Sequence, residues 1–181
     1  MGCPKALLDF HGTPFLAVVN NSCLAMGWEP RIVTVGQDRD KILSIVKLDG
    51  AVPVSNLETD LGPIGSVAAG LKEINHSVDA AVVWPVDQPH VVRATLEELV
   101  RSFERSRPRL VVPSYEGRGG HPIVLSSAVF AECLAAASGR LTLRDVVRTD
   151  AARVLRVPVS DRAVVQDIDT PEDYATLIAS T

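Results

Sequence analysis

Cysteine is scarce in this sequence, and its cysteines lie far apart. Cys3, Cys23 and Cys133 are the three in the chain, and no pair has the Cys-x-x-Cys spacing of a zinc site or a redox-active dithiol. An odd number at wide spacing also does not indicate a disulfide framework. We therefore expect isolated thiols in a reducing cytoplasm.

Long hydrophobic runs and targeting segments are also lacking. The longest apolar stretch, residues 80–85, is far shorter than the roughly 20 residues that cross a bilayer. The N-terminus has no basic segment followed by an apolar one, as a signal peptide would require. These absences predict a cytoplasmic protein with no membrane partner.

The chain has no excess of positive charge. Its 18 Lys and Arg residues are outnumbered by 22 Asp and Glu residues, and the formal net charge is −4. A nucleic-acid partner would require a basic face, so the composition argues against one. Apolar residues make up 46% of the chain, which is too many for a disordered protein. We predict a single domain over residues 1–181, because this length suits one ordinary core. The sequence does not indicate an oligomeric state.

Three common catalytic motifs are missing. The sequence contains no Gly-x-Ser-x-Gly, no His-Glu-x-x-His and no Walker A pattern. These motifs would supply a serine nucleophile, a zinc site and a phosphate-binding loop, respectively. Their absence disfavours hydrolases and P-loop enzymes.

What the sequence does contain is an alternation of strand-like and helix-like segments. Hydrophobic patterns predict strands at 31–35, 51–54, 80–85, 109–113, 121–125 and 153–159. They predict helices at 38–48, 63–74, 94–103, 126–137, 141–148 and 170–178. This order predicts an α/β, Rossmann-like domain with a mostly parallel sheet and helices on both faces. Segment 80–85 is apolar throughout and is expected to be covered on both sides.

Asp87 is the first candidate for chemistry. It follows the apolar segment 80–85 and lies between Pro85 and Pro89, which stiffen the turn. Ligands of α/β sheets bind beyond the carboxyl ends of the strands, and a carboxylate there can hold Mg²⁺ together with substrate phosphates. The alternative is an ordinary helix cap or a solvated turn residue.

A second acidic cluster lies near the C-terminus. Asp167 and Asp169 are two residues apart, so an extended segment would place both carboxylates on one side. With Asp87 they could form a two-sided metal site, or they could belong to a polar turn. Asp173 lies three residues after Thr170, in the position of a helix N-terminal charge.

Two further segments are candidates for ligand contacts. Lys5 follows Pro4 and precedes an apolar run, although a lone lysine near a terminus is usually solvated. Residues 117–122 combine three glycines with Arg118 and His121. Such a loop can wrap an anionic ligand through its backbone and its arginine, or it can be a simple hairpin turn.

Taken together, these segments resemble the MobA-like NTP transferase family, which comprises molybdenum-cofactor nucleotidyltransferases, and its cytidylyltransferase-type branch is the closer match. The resemblance rests on five segments in order: Met1-Gly-Cys-Pro-Lys-Ala-Leu-Leu8, Asn56 with Gly62-Pro-Ile-Gly-Ser66, Val86-Asp-Gln-Pro89, Gly117-Arg-Gly-Gly-His-Pro122 and Asp167-Ile-Asp-Thr-Pro-Glu-Asp173. They cover nearly the whole chain.

The resemblance implies a role for each segment. Lys5 would contact triphosphate oxygens, and Asn56, Gly65 and Ser66 would lie near the nucleotide base. The metal ligands implied for Mg²⁺ are Asp87, Asp167 and Asp169. The acceptor pocket would be shaped by Gly119, Gly120, His121 and Pro122. Lys5 and Asp87 would be the catalytic residues.

The resemblance also has a gap. The family signature begins with a strand and a Gly-rich loop that grips the triphosphate, whereas this sequence begins where that loop ends. We therefore expect the first, central strand to be missing from the sheet, and activity to be impaired.

These features predict an Mg²⁺-dependent nucleotidyltransferase. Its partners would be a nucleoside triphosphate and a phosphorylated small-molecule acceptor, with CTP and a molybdopterin-type cofactor as the favoured pair. The alternatives are a sugar- or polyol-phosphate nucleotidyltransferase of the same fold and a non-catalytic binding module.

Overall fold

The computed structural model describes residues 2–56, 59–74 and 78–180. The strands in these residues are β1 (Asp9–Phe10), β2 (Thr13–Pro14), β3 (Ile32–Val35), β4 (Val52–Ser55), β5 (Ala80–Val83), β6 (Leu110–Tyr115), β7 (Arg118–Gly119), β8 (Ile123–Ser126) and β9 (Val154–Pro158). The helices are α1 (Phe15–Ala25), α2 (Arg39–Ile45), α3 (Pro63–Glu73), α4 (Arg93–Ser106), α5 (Phe130–Ser138), α6 (Leu143–Arg148) and α7 (Pro171–Ala179). Across these ranges no helix has the length and apolar character needed to cross a membrane.

The strands form a short hairpin and two sheets. β1 and β2 pair antiparallel, whereas β3 and β4 pair in parallel across helix α2. The larger sheet has the order β5-β8-β6-β7, and β9 pairs with β6 in parallel. β8 lies antiparallel between β5 and β6, so β5, β6 and β9 share one direction. The predicted α/β class and mostly parallel arrangement are confirmed, with β8 as an antiparallel insertion.

Helices cover both faces of the larger sheet, as predicted. Side chains alternate along β6, so Leu110 packs with helices α3 and α5 on one face. Its neighbour Val111 packs with Leu99 and Phe103 of α4 on the other face. The period of two residues in a strand therefore divides the core into two layers.

Among the described residues, strand β5 is covered on both faces but is open along one edge. All four of its residues are apolar, but each is only half-buried. β5 is the end strand of its sheet, and β3 pairs with β4 alone. On their remaining sides, neither β5 nor β3 has a strand partner in the described ranges. Ala81 and Val83 pack against the layer of α3 and α5, and Ala80 and Val82 pack against the layer of α4, so the predicted cover on both faces is present.

The sequence analysis did not predict helix α1. It begins immediately after Pro14 and has no side-chain cap, so the usual start signal is missing. Its first residue, Phe15, is completely buried and packs with Ile168 and Leu177 near the C-terminus. The Phe15 amide also donates to the carbonyl of Leu8 at 2.9 Å. Helix α1 therefore joins the N-terminal segment to the C-terminal one.

Helix α7 begins as the sequence predicts. The Thr170 hydroxyl accepts a hydrogen bond from the Asp173 amide at 3.1 Å, and Oδ2 of Asp173 accepts from the Thr170 amide at 2.8 Å. This reciprocal capping box satisfies two amides at the helix start. The Thr170 hydroxyl also donates to Oδ2 of Asp173 at 2.7 Å, and this bond and the one from the Thr170 amide hold the pKa of Asp173 below its usual value. Asp173 is therefore a helix cap.

Candidate active site

A lysine and two carboxylates from three distant segments meet at one edge of the molecule. Lys5 lies in a 3-10 turn, residues Lys5–Leu7, and its Nζ donates to Oδ2 of Asp87 at 3.0 Å. The same Nζ donates to Oδ1 of Asp169. The Lys5 and Asp87 side chains are largely covered, whereas that of Asp169 is exposed. Three candidate residues are thus in direct contact.

The two acids determine the charge state of Lys5. Burial disfavours the ammonium and is the largest single influence. The hydrogen bonds to Asp169 and Asp87, together with their charges, outweigh burial and raise the pKa of Lys5 above its ordinary 10.5. Lys5 is therefore a permanent cation at neutral pH.

Asp87 is held in a tight turn just after β5. The Gln88 amide donates to the carbonyl of Pro85 at 3.3 Å, and the Ile168 amide donates to the carbonyl of Asp87 at 3.0 Å. Its Oδ1 atom is buried and has no hydrogen-bond partner in the described residues. Burying a carboxylate oxygen without a partner is costly, and a bound cation would offset that cost.

The Asp167 and Asp169 side chains point outward on either side of a buried residue. Both are exposed, whereas Ile168 between them is only 4% exposed and packs with Phe15. The alternation predicted for this segment is therefore present. Asp167 accepts a hydrogen bond from the Gln88 side chain at 2.6 Å, which places it beside the Asp87 turn.

These acids suit a metal ion that takes only one or two of its ligands from the protein. Throughout the residues described, no group of three His, Cys, Asp or Glu side chains is close enough to enclose an ion. Mg²⁺ in nucleotide sites typically uses one or two carboxylates, with water and phosphate as its other ligands. The unpartnered oxygen of Asp87 and a neighbouring carboxylate suit that coordination. The Lys5 ammonium already lies between Asp87 and Asp169 as a cation.

The glycine loop packs against the segment that leads to these acids. The His121 amide donates to the carbonyl of Val164 at 2.8 Å. A Cβ atom at Gly120 would lie 1.8 Å from that same oxygen, so only glycine fits there. Pro122 is buried, whereas Gly119 in β7 is exposed and faces Arg156. The loop therefore brings His121 toward the carboxylates.

The environment of His121 reflects this closeness. Burial lowers its pKa below the ordinary 6.5, and the charges of Asp167 and Asp87 act in the opposite direction. His121 is therefore neutral at pH 7, and an uncharged imidazole can accept or donate a hydrogen bond.

The segment suggested to lie near the nucleotide base is assembled where β4 ends and α3 begins. Asn56 is buried just after β4, and its Nδ2 donates to Oγ of Ser66 on α3 at 3.1 Å. Its amide donates to the carbonyl of Val35 at 2.8 Å. Gly65 is buried in the first turn of α3. These residues are therefore placed near the carboxyl ends of β3 and β4.

A groove of about 290 Å³ connects the Lys5 turn with the end of β3. Lys5, Val35, Gly36 and Val86 are among the residues that line it. Ligand pockets typically occupy about 300–1,000 Å³, so the groove is near the lower end of that range. A second groove, of about 360 Å³, lies between α4 and β9 and includes none of the candidate residues.

The sequence analysis placed Gln88 within the motif Val86-Asp-Gln-Pro89 but gave it no role. In the structure its side chain is 1% exposed and touches Asp167. A large polar residue between an acid and a proline, directly after an apolar strand, is a usable signal, because such a side chain requires partners when it is buried. Met1, where the N-terminal motif begins, lies outside the described residues.

Solved structures with the same fold include nucleotidyltransferases. Rv0371c from Mycobacterium tuberculosis H37Rv is 26% identical with a TM-score of 0.85, over 100% of this chain and 92% of that chain. The manganese complex of Rv0371c is 26% identical with a TM-score of 0.82, over 98% of this chain and 92% of that chain. Molybdopterin-guanine dinucleotide biosynthesis protein A from Archaeoglobus fulgidus is 18% identical with a TM-score of 0.72, over 99% and 91%. The 2-C-methyl-D-erythritol 4-phosphate cytidylyltransferase from Thermus thermophilus is 19% identical with a TM-score of 0.72, over 98% and 93%.

The fold and the family model together define an α/β domain of the nucleotidyltransferase class. The model of the MobA-like NTP transferase domain matches residues 1–155, and the chain therefore belongs to that family. A search of curated proteins finds no match. The family resemblance seen in the sequence is confirmed, while the acidic segment 167–173 lies beyond the matched residues.

We predict that stability decreases in mild acid because of two histidines. Burial lowers the pKa of both His121 and His90 from the ordinary 6.5. The unfolded chain then binds protons more readily than the folded chain. Stability is therefore fully present above about pH 6.5 and is lost as pH falls through the lower, folded pKa, by at most about 1.4 kcal/mol per pH unit for each histidine.

Urea unfolding between pH 5 and pH 7.5 measures this dependence. His121→Gln and His90→Gln should each flatten the slope, and His11→Gln, at an exposed position, should leave it unchanged. An equally steep slope in both buried-histidine variants would contradict the prediction.

Proposed function

We propose that the protein transfers CMP from CTP to a molybdopterin-type cofactor, with Mg²⁺, and releases pyrophosphate. The observation that carries this proposal is the contact of Lys5 with both Asp87 and Asp169. A cation and a carboxylate pair beside a groove are the groups that a triphosphate reaction requires. Transferase activity on nucleotides follows from the family; the nucleotide, acceptor and metal are the proposed part.

In the proposed reaction an acceptor phosphate oxygen attacks the α-phosphorus of CTP. The bond to the bridging oxygen breaks, and pyrophosphate leaves with that oxygen. Lys5 would neutralise charge on the phosphate oxygens, because it stays protonated at the end of the groove. Asp87, with Asp167 or Asp169, would hold Mg²⁺, which when bound supplies positive charge to the phosphates. The chain itself provides no covalent nucleophile in this scheme.

The two ends of the site would hold the two substrates. Asn56, Gly65 and Ser66 would lie near the base, and Gly119, Gly120, His121 and Pro122 would shape the acceptor pocket. The neutral His121 suits an acceptor rich in hydrogen-bonding groups. The name of the A. fulgidus protein supports a molybdopterin-type acceptor, and the manganese complex of Rv0371c supports a divalent metal.

A polyol phosphate is the second candidate acceptor. The T. thermophilus enzyme of the same fold is named as a cytidylyltransferase of methylerythritol phosphate. In that case CTP would remain the nucleotide while the acceptor changed. A non-catalytic module would keep the fold and bind nucleotide without turnover.

Pyrophosphate release with a panel of substrates tests the proposal. CTP, GTP, UTP and ATP are each combined with molybdopterin or methylerythritol phosphate, with Mg²⁺ or Mn²⁺ or with EDTA. We expect release with CTP and molybdopterin that EDTA abolishes. Release with the polyol phosphate alone would favour the second candidate, and no release with any pair would contradict an enzymatic role.

For Asp87→Ala we predict a loss of metal-dependent turnover of about 100-fold or more with a retained fold, because the ion would lose its buried ligand. Turnover and thermal unfolding measure the two effects. Asp79→Ala is the matched control, since Asp79 lies just before β5, at the opposite end of the same strand, and is exposed. Normal turnover in the Asp87 variant would refute the metal assignment.

For Lys5→Ala we predict an affinity for CTP that is weaker by about 10- to 100-fold, since a charge-assisted hydrogen bond to phosphate is lost. A titration of CTP with calorimetry measures it in the absence of acceptor. Lys72→Ala, at an exposed position in the last turn of α3, is the control. An unchanged affinity in the Lys5 variant would show that Lys5 makes no contact with the phosphates.

A further inference from the structure

Gln88 is a large polar residue enclosed beside the acidic site. Its side chain is 1% exposed, although it follows Asp87 directly in the chain. The backbone carbonyl of Gln88 accepts a hydrogen bond from the Trp84 indole at 2.9 Å. Its backbone amide donates to the carbonyl of Pro85 at 3.3 Å. The backbone of Gln88 is thereby fixed within the turn that holds Asp87.

The Gln88 side chain spans from this turn to the C-terminal acidic segment. Its Nε2 donates to Oδ1 of Asp167 at 2.6 Å and to the carbonyl of Val164 at 3.3 Å. The amide has two N–H donors, and these two acceptors use both of them. Rotating the amide by 180° would set Oε1 against a carboxylate, so the orientation is determined by its partners.

One atom of the Gln88 side chain lacks a hydrogen-bond partner among the described residues. Oε1 of Gln88 is buried and has no hydrogen-bond partner in the part of the chain that the structure describes. Burying an amide oxygen without a donor opposes folding. A methionine of similar length would fill the same space without that cost. The amide is therefore poorly explained by packing and well explained by its bond to Asp167.

We propose that Gln88 is a positioning residue that holds the Asp167 carboxylate beside Asp87 for the metal ion. Its hydrogen bond engages Oδ1 of Asp167, so the second oxygen can face the cation. Asp167 is exposed and without this bond would sample several rotamers in water. The inference rests on the metal site of the proposed function.

Binding of Mn²⁺ alone, followed by electron paramagnetic resonance of the free ion, tests this role without turnover. In Gln88→Met we expect the Kd for Mn²⁺ to rise about 10-fold or more, as is usual when a partner of a metal ligand is removed. Thermal unfolding of the metal-free variant should occur at the wild-type temperature or above it. Gln37→Met, at an exposed glutamine, should change neither quantity.

A double-mutant cycle separates this role from general disruption. Asp167→Asn should weaken Mn²⁺ binding, and adding Gln88→Met to it should cause little further loss, because Gln88 would act on the ion only through the Asp167 carboxylate. Independent, additive losses would overturn the proposal. Should Gln88→Met fail to fold, Gln88→Asn replaces it: this side chain keeps an amide but is one methylene too short, and unchanged Mn²⁺ affinity would again refute the role.

The outcomes also distinguish the inference from the function on which it depends. If the wild-type protein binds no Mn²⁺, the metal site itself is wrong and the inference is overturned with it. If the wild type binds Mn²⁺ and Gln88→Met binds it equally well, only the role of Gln88 is refuted. A parallel drop in unfolding temperature and affinity would assign Gln88 to packing instead.

Discussion

The site depends on one ammonium group that is shared by two carboxylates. Lys5 joins Asp87, which follows a strand in the middle of the chain, to Asp169, which precedes the last helix. Repulsion between the two acids would otherwise separate these segments, since like charges at short range disfavour each other. The N-terminal lysine therefore balances the charge that a metal ion would also balance.

Backbone hydrogen bonds make this arrangement more than an ion pair. The carbonyl of Asp87 accepts from Ile168, and the carbonyl of Val164 accepts from His121. Backbone bonds of this kind do not depend on side-chain rotamers, so the turn, the glycine loop and the C-terminal segment form one framework. Phe15 of α1 adds an apolar contact to Ile168 below it. Chemistry at this edge would therefore draw on a site that is largely formed in advance.

Local patterns in the sequence predicted the elements whose signals are local. The capping box at Thr170 and the apolar strand before Asp87 are examples, and both are present. Helix α1 was missed because it starts at Phe15 without a capping side chain, and its burial comes from contacts more than 150 residues away in sequence. The open edge of β5 likewise depends on which strands pair, and composition does not record that.

For the candidate site, the residue types were predictable but their pairing was not. Carboxylates after strand ends indicated where a metal ion could bind, and the family resemblance drew attention to Lys5. The contact of Lys5 with both acids, and the link from Gln88 to Asp167, arise between segments separated by about 80 residues or more. Such contacts are products of tertiary packing that no local periodicity records.

The open edges of β3 and β5 have a consequence for the behaviour of the protein in solution. Among the residues that the structure describes, each of these strands has a strand partner on one side only. Such an edge is a template on which a strand from another molecule can align. Concentrated samples are therefore exposed to edge-to-edge aggregation, and charged substitutions along these strands would be the direct way to keep the molecules apart.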